Sequence, residues 1–427
     1  MGRAGRVIAV LLAAIQLVVG CTTSDEPSSA RGPGALIAYV IPDNAPWWNA
    51  GQAGFTLLDG TSRLATWTKK RPKPSFGGMS SPLFTADGRY AVVMYNDEGG
   101  AGRLPYDGYD IHAVLVVVDT ETHRVREVQI PARSRSQTQT PMRPGQPYAL
   151  QGSTIIWAGP DTSDAPDPAE NQVSVMQLDL SKPDPKPSLW RTVELPARTA
   201  PKDWLESGGL VVGAGNGAVV IARNYGRSAT AAVNRLFLTE SDGTVRELGD
   251  QPWPIMTAFS PDGTRFAALS GERATSWGCE KRQITVYDPH SGETATGFPA
   301  APFTATPSPY FYGNRDGALW WTPDGRLRAM GSAERCPEAS KPTDDVGVWE
   351  LHESTWERVG SPGDYRGYPL PGGGEAVVAR VARPNPKPDE SDTKSSLFLR
   401  IGGHEVTIAD AEPGGVAVRS GTGGRGD

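Results

Sequence analysis

The chain has 427 residues, enough for one large core or for two or three domains. Its 50 glycines and 38 prolines, about a fifth of the residues, exceed the usual share without reaching a low-complexity, disordered composition. A net charge of −6 argues against a general nucleic-acid binder, which needs clustered lysine and arginine. No stretch sustains helical apolar spacing, whereas short β-branched runs abound, so the composition points to turn-rich β structure.

The first segment reads MGRAGRVIAVLLAAIQLVVGC. Arg3 and Arg6 form a positive start, and Val7 to Val19 is an apolar run of 13 residues, too short to cross a bilayer as a helix. The run ends in Val-Val-Gly-Cys, residues 18–21, which resembles the lipobox of bacterial lipoproteins. The resemblance implies a signal peptide over residues 1–20, cleavage before Cys21, and a diacyl chain on the Cys21 thiol. Each buried methylene contributes about 0.8 kcal/mol to anchoring, and two chains hold stably where one is marginal. An uncleaved anchor or an ordinary secretory signal is the alternative. Residues 21–34, polar and punctuated by glycine and proline, read as a flexible tether. Localisation at the outer surface of the bacterial cytoplasmic membrane is therefore expected.

From there on the chain repeats itself. FTADGRYAVVM from Phe84, FSPDGTRFAAL from Phe259 and WTPDGRLRAMG from Trp321 each place Asp-Gly between two apolar runs, the signal for a hairpin whose centre needs φ > 0. A second hairpin class recurs seven times, with turns near Asp59, Asp119, Asp179, Asp242, Asp288, Glu353 and Gly402, roughly 57 residues apart. Two hairpins per unit make four strands, A to D, and such units are the blades of a β-propeller. Blades stack face on face, which accounts for continuous apolar runs such as VLVVV from Val114.

At Ser-Pro-Asp-Gly, residues 260–263, the sequence resembles the WD40-like repeat of TolB-type propellers. The resemblance implies an all-β propeller, taken over residues 35–421 with a disordered tail at 422–427; the repeats count seven blades, with six or eight as the alternatives. The separate N-terminal domain of TolB has no counterpart here, so partner binding through that domain does not carry over. Blades 3 and 4 lack the motif, and their strand A is not located. The first unit offers strands B, C and D but no A. Val416–Ser420 is expected to supply it, closing the ring and removing an open sheet edge.

The A–B and C–D turns are short. The B–C connections are long: Pro42–Gly54, Asn96–Ile111, Gly159–Gln172, Asn224–Asn234, Gly271–Arg282, Gly331–Asp345 and Arg380–Lys394. Long loops on one side of a rigid scaffold commonly carry function, so the B–C/D–A face is the expected binding face, tolerated insertions being the alternative. Trp47, Trp48, Arg103, Tyr106, Asp107, Tyr109 and Trp277 lie in these loops. Aromatics among acids and amides suit stacking on a sugar or anchoring a protein partner; folding back as a lid on their own blade is the bland alternative. Cys279 and Cys336 fall in the B–C loops of neighbouring blades and are expected to form a disulfide, worth roughly 4 kcal/mol by loop-closure entropy, with two free thiols as the alternative.

No catalytic set is expected. His123, His290, His352 and His404 all fall in or beside C–D turns, where blades splay apart, and no zinc-protease, phosphate-loop or nucleophile-elbow motif occurs. Asp161, Asp164 and Asp167 read as a solvated loop rather than a calcium site. Neither metal nor cofactor is expected. The leading expectation is a non-enzymatic module that docks an envelope protein partner. A carbohydrate- or peptide-binding propeller and a propeller lyase or hydrolase are the alternatives.

Overall fold

The computed structural model describes residues 35–41, 51–71, 76–98, 110–134, 148–159, 171–197, 205–206, 209–226, 233–252, 255–273, 280–295, 298, 304–305, 319–322, 324–332, 346–371, 373–382, 393–409 and 415–419. They form strands only, all paired antiparallel and gathered into seven blades.

Blade 1 contains β1 (Leu36–Ile41), β2 (Gly51–Asp59) and β3 (Ser62–Arg71) as strands B, C and D. In blade 2, strand A is split into β4 (Phe76–Met79) and β5 (Leu83–Phe84), both paired with β6 (Tyr90–Glu98); β7 (Asp110–Asp119) and β8 (Val125–Ser134) follow. Blade 3 is β9 (Ala149–Gln151), β10 (Thr154–Ala158), β11 (Gln172–Asp179) and β12 (Ser188–Glu194). In blade 4, β13 (Leu205–Glu206) and β14 (Leu210–Gly215) share the edge of β15 (Ala218–Gly226), before β16 (Val233–Thr239) and β17 (Val245–Pro252). The strands A left unplaced by the sequence are thus β9 and β14, turned by Gly152 and by Asn216–Gly217 in place of Asp-Gly.

Blade 5 has β18 (Ile255–Phe259), β19 (Phe266–Arg273) and β20 (Glu280–Tyr287). Among the described residues, Tyr287 bridges Thr294, and β21 (Thr304–Ala305) pairs opposite Lys281 and Glu280. Thr304 also pairs with Ser332, so β21 joins blade 5 to blade 6, which is β22 (Leu319–Trp321), β23 (Leu327–Ser332), β24 (Val346–His352) and β25 (Thr355–Val359). Blade 7 is β26 (Asp364–Pro369), β27 (Glu375–Ala382), β28 (Thr393–Ile401) and β29 (His404–Ala409). The chain then returns as β30 (Gly415–Val418) and pairs with β1, Ile37 opposite Val418 and Val40 opposite Gly415. It closes the ring as expected, one residue earlier than the apolar pattern suggested.

The Asp-Gly motif proves to be a locked A–B turn. In blades 2, 5 and 6 a hydroxyl two residues before the aspartate donates to its Oδ1: Thr85 to Asp87 at 2.6 Å, Ser260 to Asp262 and Thr322 to Asp324. The same hydroxyl oxygens accept the backbone N–H of Tyr90, Arg265 and Arg326 at 2.9–3.0 Å. Glycine then supplies the left-handed residue, with φ of 67° at Gly88, 70° at Gly263 and 81° at Gly325. The Ser260 hydroxyl and the Thr264 N–H together hold the Asp262 carboxyl below the usual carboxylate range.

Alternate residues of each inner strand face opposite neighbours. Ala38 and Val40 pack toward blade 2 with Phe55, Val93 and Val116, while Ile37 and Tyr39 pack toward blade 7 with Val378 and Leu399. Comparable apolar clusters fill the joints from blade 2 through to blade 6. The joint between blades 6 and 7 differs. Its buried apolar cluster is small, Val377, Ala379 and Phe398 of blade 7 with Val381 beside them, and blade 6 adds Trp320, whose ring lies 5.6 Å from that of Tyr368.

Candidate functional site

Two regions bear on function: the face from which the long connections leave, and the polar joint between blades 6 and 7. The tight A–B and C–D turns share one face. All seven B–C connections leave from the other. They are shorter than the apolar pattern suggested, because the ladders run on through polar residues: β6 extends to Glu98, β7 begins at Asp110, β19 reaches Arg273 and β27 reaches Ala382. Backbone pairing needs no apolar side chain, so these extensions carry no signal in hydrophobicity.

Trp47, Trp48, Arg103, Tyr106, Asp107, Tyr109, Trp277, Cys279 and Cys336 all lie outside the described residues, as does Cys21. Their flanking strands are described. The connection bearing the two tryptophans is rooted at Ile41 and Gly51, and that of Arg103 to Tyr109 at Glu98 and Asp110, on adjacent blades 1 and 2. The connection bearing Trp277 is rooted on blade 5, three blades away around the ring. The roots beside the two cysteines are closer: Glu280 pairs with Ala305, and Ser332 with Thr304, so two strand spacings of about 4.8 Å separate them.

His123, His290, His352 and His404 sit at the C–D turns of blades 2, 5, 6 and 7, one to a blade. Among the described residues no group of histidines, cysteines or acids is arranged to hold a metal ion.

The buried charges concentrate in blades 6 and 7. Arg328, Glu350, Asp364 and Arg366 are there; Arg223 on blade 4 is the other charged residue described as buried. Arg328 on β23 stands opposite Glu350 on β24, and its Nε donates to Glu350 Oε2 at 2.5 Å. Its Nη1 crosses the joint to the Gly367 carbonyl at 2.7 Å and to Glu375 Oε1 at 2.6 Å. Glu350 Oε1 takes Arg326 and the ring Nε2 of His352, the latter at 2.8 Å. The Asp324 carboxylate, with Glu350, holds the Arg326 guanidinium above its ordinary pKa. Trp320 Nε1 donates to the same Gly367 carbonyl at 3.3 Å. One residue further into blade 7, Arg400 grips Asp364 with both nitrogens at 2.7 and 3.1 Å.

Both oxygens of Glu350 are engaged, and the arginine fork of Arg328 is spent on fixed partners. This is the arrangement of a clamp, since a catalytic acid or base needs a lone pair or proton free to reach a substrate. Nothing in the motifs pointed to it. The available signal was a lone glutamate inside the apolar run VGVWELH, matched by an arginine at the paired position of LRAMG.

No protein-family model matches the chain, and no curated protein matches it. Solved structures do. The acylaminoacyl peptidase of Pyrococcus horikoshii is 14% identical with a TM-score of 0.46, over 88% of this chain and 50% of that one. The β-propeller domain of the trilobed protease from Pyrococcus furiosus is 12% identical with a TM-score of 0.45, over 88% and 92%. Prolyl oligopeptidase B from Galerina marginata is 6% identical with a TM-score of 0.37, over 90% and 52%. The chain spans about half the length of the acylaminoacyl peptidases it matches. At such low identity the likeness reaches no further than the fold.

Proposed function

We propose that this protein is a lipid-anchored, extracytoplasmic β-propeller, held at the outer surface of a bacterial cytoplasmic membrane through Cys21, that docks an envelope protein partner on its loop face without catalysing a reaction. One observation carries the reading: the A–B and C–D turns, of eight residues or fewer, share one face of the ring, and the B–C connections, up to 13 residues long, leave from the other. A rigid ring that spends its variable chain on one side offers a broad presentation surface. The TolB-like resemblance of the Asp-Gly units fits a protein of the cell envelope.

A docked protein suits the loop roots better than a sugar does. A sugar platform needs aromatic rings side by side, and the connection of Trp277 is rooted three blades from that of Trp47 and Trp48. The Trp47–Trp48 and Tyr106–Tyr109 connections, on adjacent blades, are the expected anchor of the interface.

The test is site-specific photo-crosslinking in the native envelope, from positions in loop 99–109 and, as control, from the turn residue Asp184. A single protein adduct formed from the loop, absent from the turn and lost in Trp47→Ala/Trp48→Ala, supports the reading. Binding of a tether-less protein to a glycan array, abolished by the same double variant, replaces it with the carbohydrate reading. Turnover of a peptide or glycan library by the purified ring overturns the non-enzymatic assignment.

A further inference from the structure

Topology fixes which face the tether meets. β1 runs from Leu36 toward its long connection, so the chain enters blade 1 at the turn face. β30 runs antiparallel to β1 and ends at the same face, where the Arg419 N–H donates to the Leu36 carbonyl at 2.9 Å. We infer that the turn face, over blades 7, 1, 2 and 3, rests on the lipid surface that anchors Cys21, and that the loop face is held away from it. This rests on the proposed lipidation of Cys21.

The tether is short for the body it holds. Fourteen residues, 21–34, reach at most about 50 Å when taut, and a flexible coil of that length spans about 20 Å. To turn the loop face toward the bilayer, the tether would have to pass outward over β2 and β3, about 10–15 Å, and then along an outer strand for about 30 Å. Only a fully drawn chain covers that path, at a large cost in entropy. With the turn face down, the coil needs no extension.

An independent feature lies on the same side. Val125, Leu189 and Val406 are the exposed large apolar side chains among the described residues, at 36%, 55% and 47%. They are the first residue of β8, the second of β12 and the third of β29, so all three sit where an outer strand leaves the turn face, on blades 2, 3 and 7. Blades 2 and 7 flank the tethered one, and blade 3 follows blade 2. Singly, such residues are ordinary on a soluble surface. Here they form a discontinuous apolar rim beside the anchor. Exposed Arg63, Arg124, Lys182 and Lys186 share the turns with Asp59, Glu121 and Asp184, so charge alone does not draw the face down. The contact is a grazing one, with the acyl chains supplying the hold.

The test uses the full lipidated protein in vesicles of phosphatidylcholine and phosphatidylglycerol bearing a headgroup acceptor dye. A donor is attached through a clickable side chain at Glu121 on the turn face, or at Gln52 at the loop-face end of β2; both sites are exposed. Energy transfer from position 121 is expected to exceed that from 52 about twofold or more, given their separation of about 25–30 Å along the strands. Equal or inverted transfer with Cys21 lipidated, as read from the intact mass, overturns the orientation alone. An unmodified Cys21 overturns both the orientation and the lipoprotein reading.

Discussion

Glu350 shows how much one side chain can bear in this ring. Its carboxylate is fully buried and compensated by Arg328, Arg326 and His352. Removing one partner of a buried pair leaves the other charged and unsolvated, a larger loss than the net worth of the pair. Glu350→Ala is therefore expected to destabilise the ring by about 3–5 kcal/mol, read as a lower midpoint in urea unfolding. The double change Arg328→Met/Glu350→Leu should recover much of that, since the Gly367 carbonyl keeps Trp320 and Glu375 is open to solvent in part. Equal losses in the single and double variants would mean that packing, rather than charge compensation, sets the cost.

At the scale of elements, β21 matters beyond its two residues. It ties the strand that begins just after Cys279 to the strand that ends just before the connection bearing Cys336. Four residues separate Ser332 from Cys336, ample chain to close the gap to the 4.4–6.8 Å that a disulfide requires between its Cα atoms. Non-reducing peptide mapping of the purified full-length protein is expected to recover a 279–336 linked pair, and reduction to lower the thermal midpoint; alkylation of both thiols without reductant would refute the bridge. The sequence made some elements plain and hid others for physical reasons. Where a hydroxyl, an aspartate and a glycine lock a turn, as at 260–263, the hairpin could be read directly. Where Gly152 or Asn216–Gly217 turns the chain without them, strand A was invisible. The clamp at Arg328 and Glu350 was hidden because cross-strand register is set by the whole sheet.

For the whole molecule, closure depends on one strand of four residues. Deleting residues 415–427 leaves the inner edge of β1 unpaired beside apolar Ile37 and Tyr39, a template for another chain. The truncated protein is expected to associate, with earlier elution and higher mass by light scattering, and to unfold at lower urea concentration. A stable monomer with an unchanged midpoint would show that blade packing alone keeps the ring shut. The same pairing has a consequence for synthesis. Ile37 meets Val418 only after all seven blades between them have been made. At about 5–20 residues per second, the opening strands wait on the order of half a minute for their neighbour. The first blade of the ring to be made is thus the last to be completed, and whatever escorts the nascent chain must shield that edge until β30 arrives.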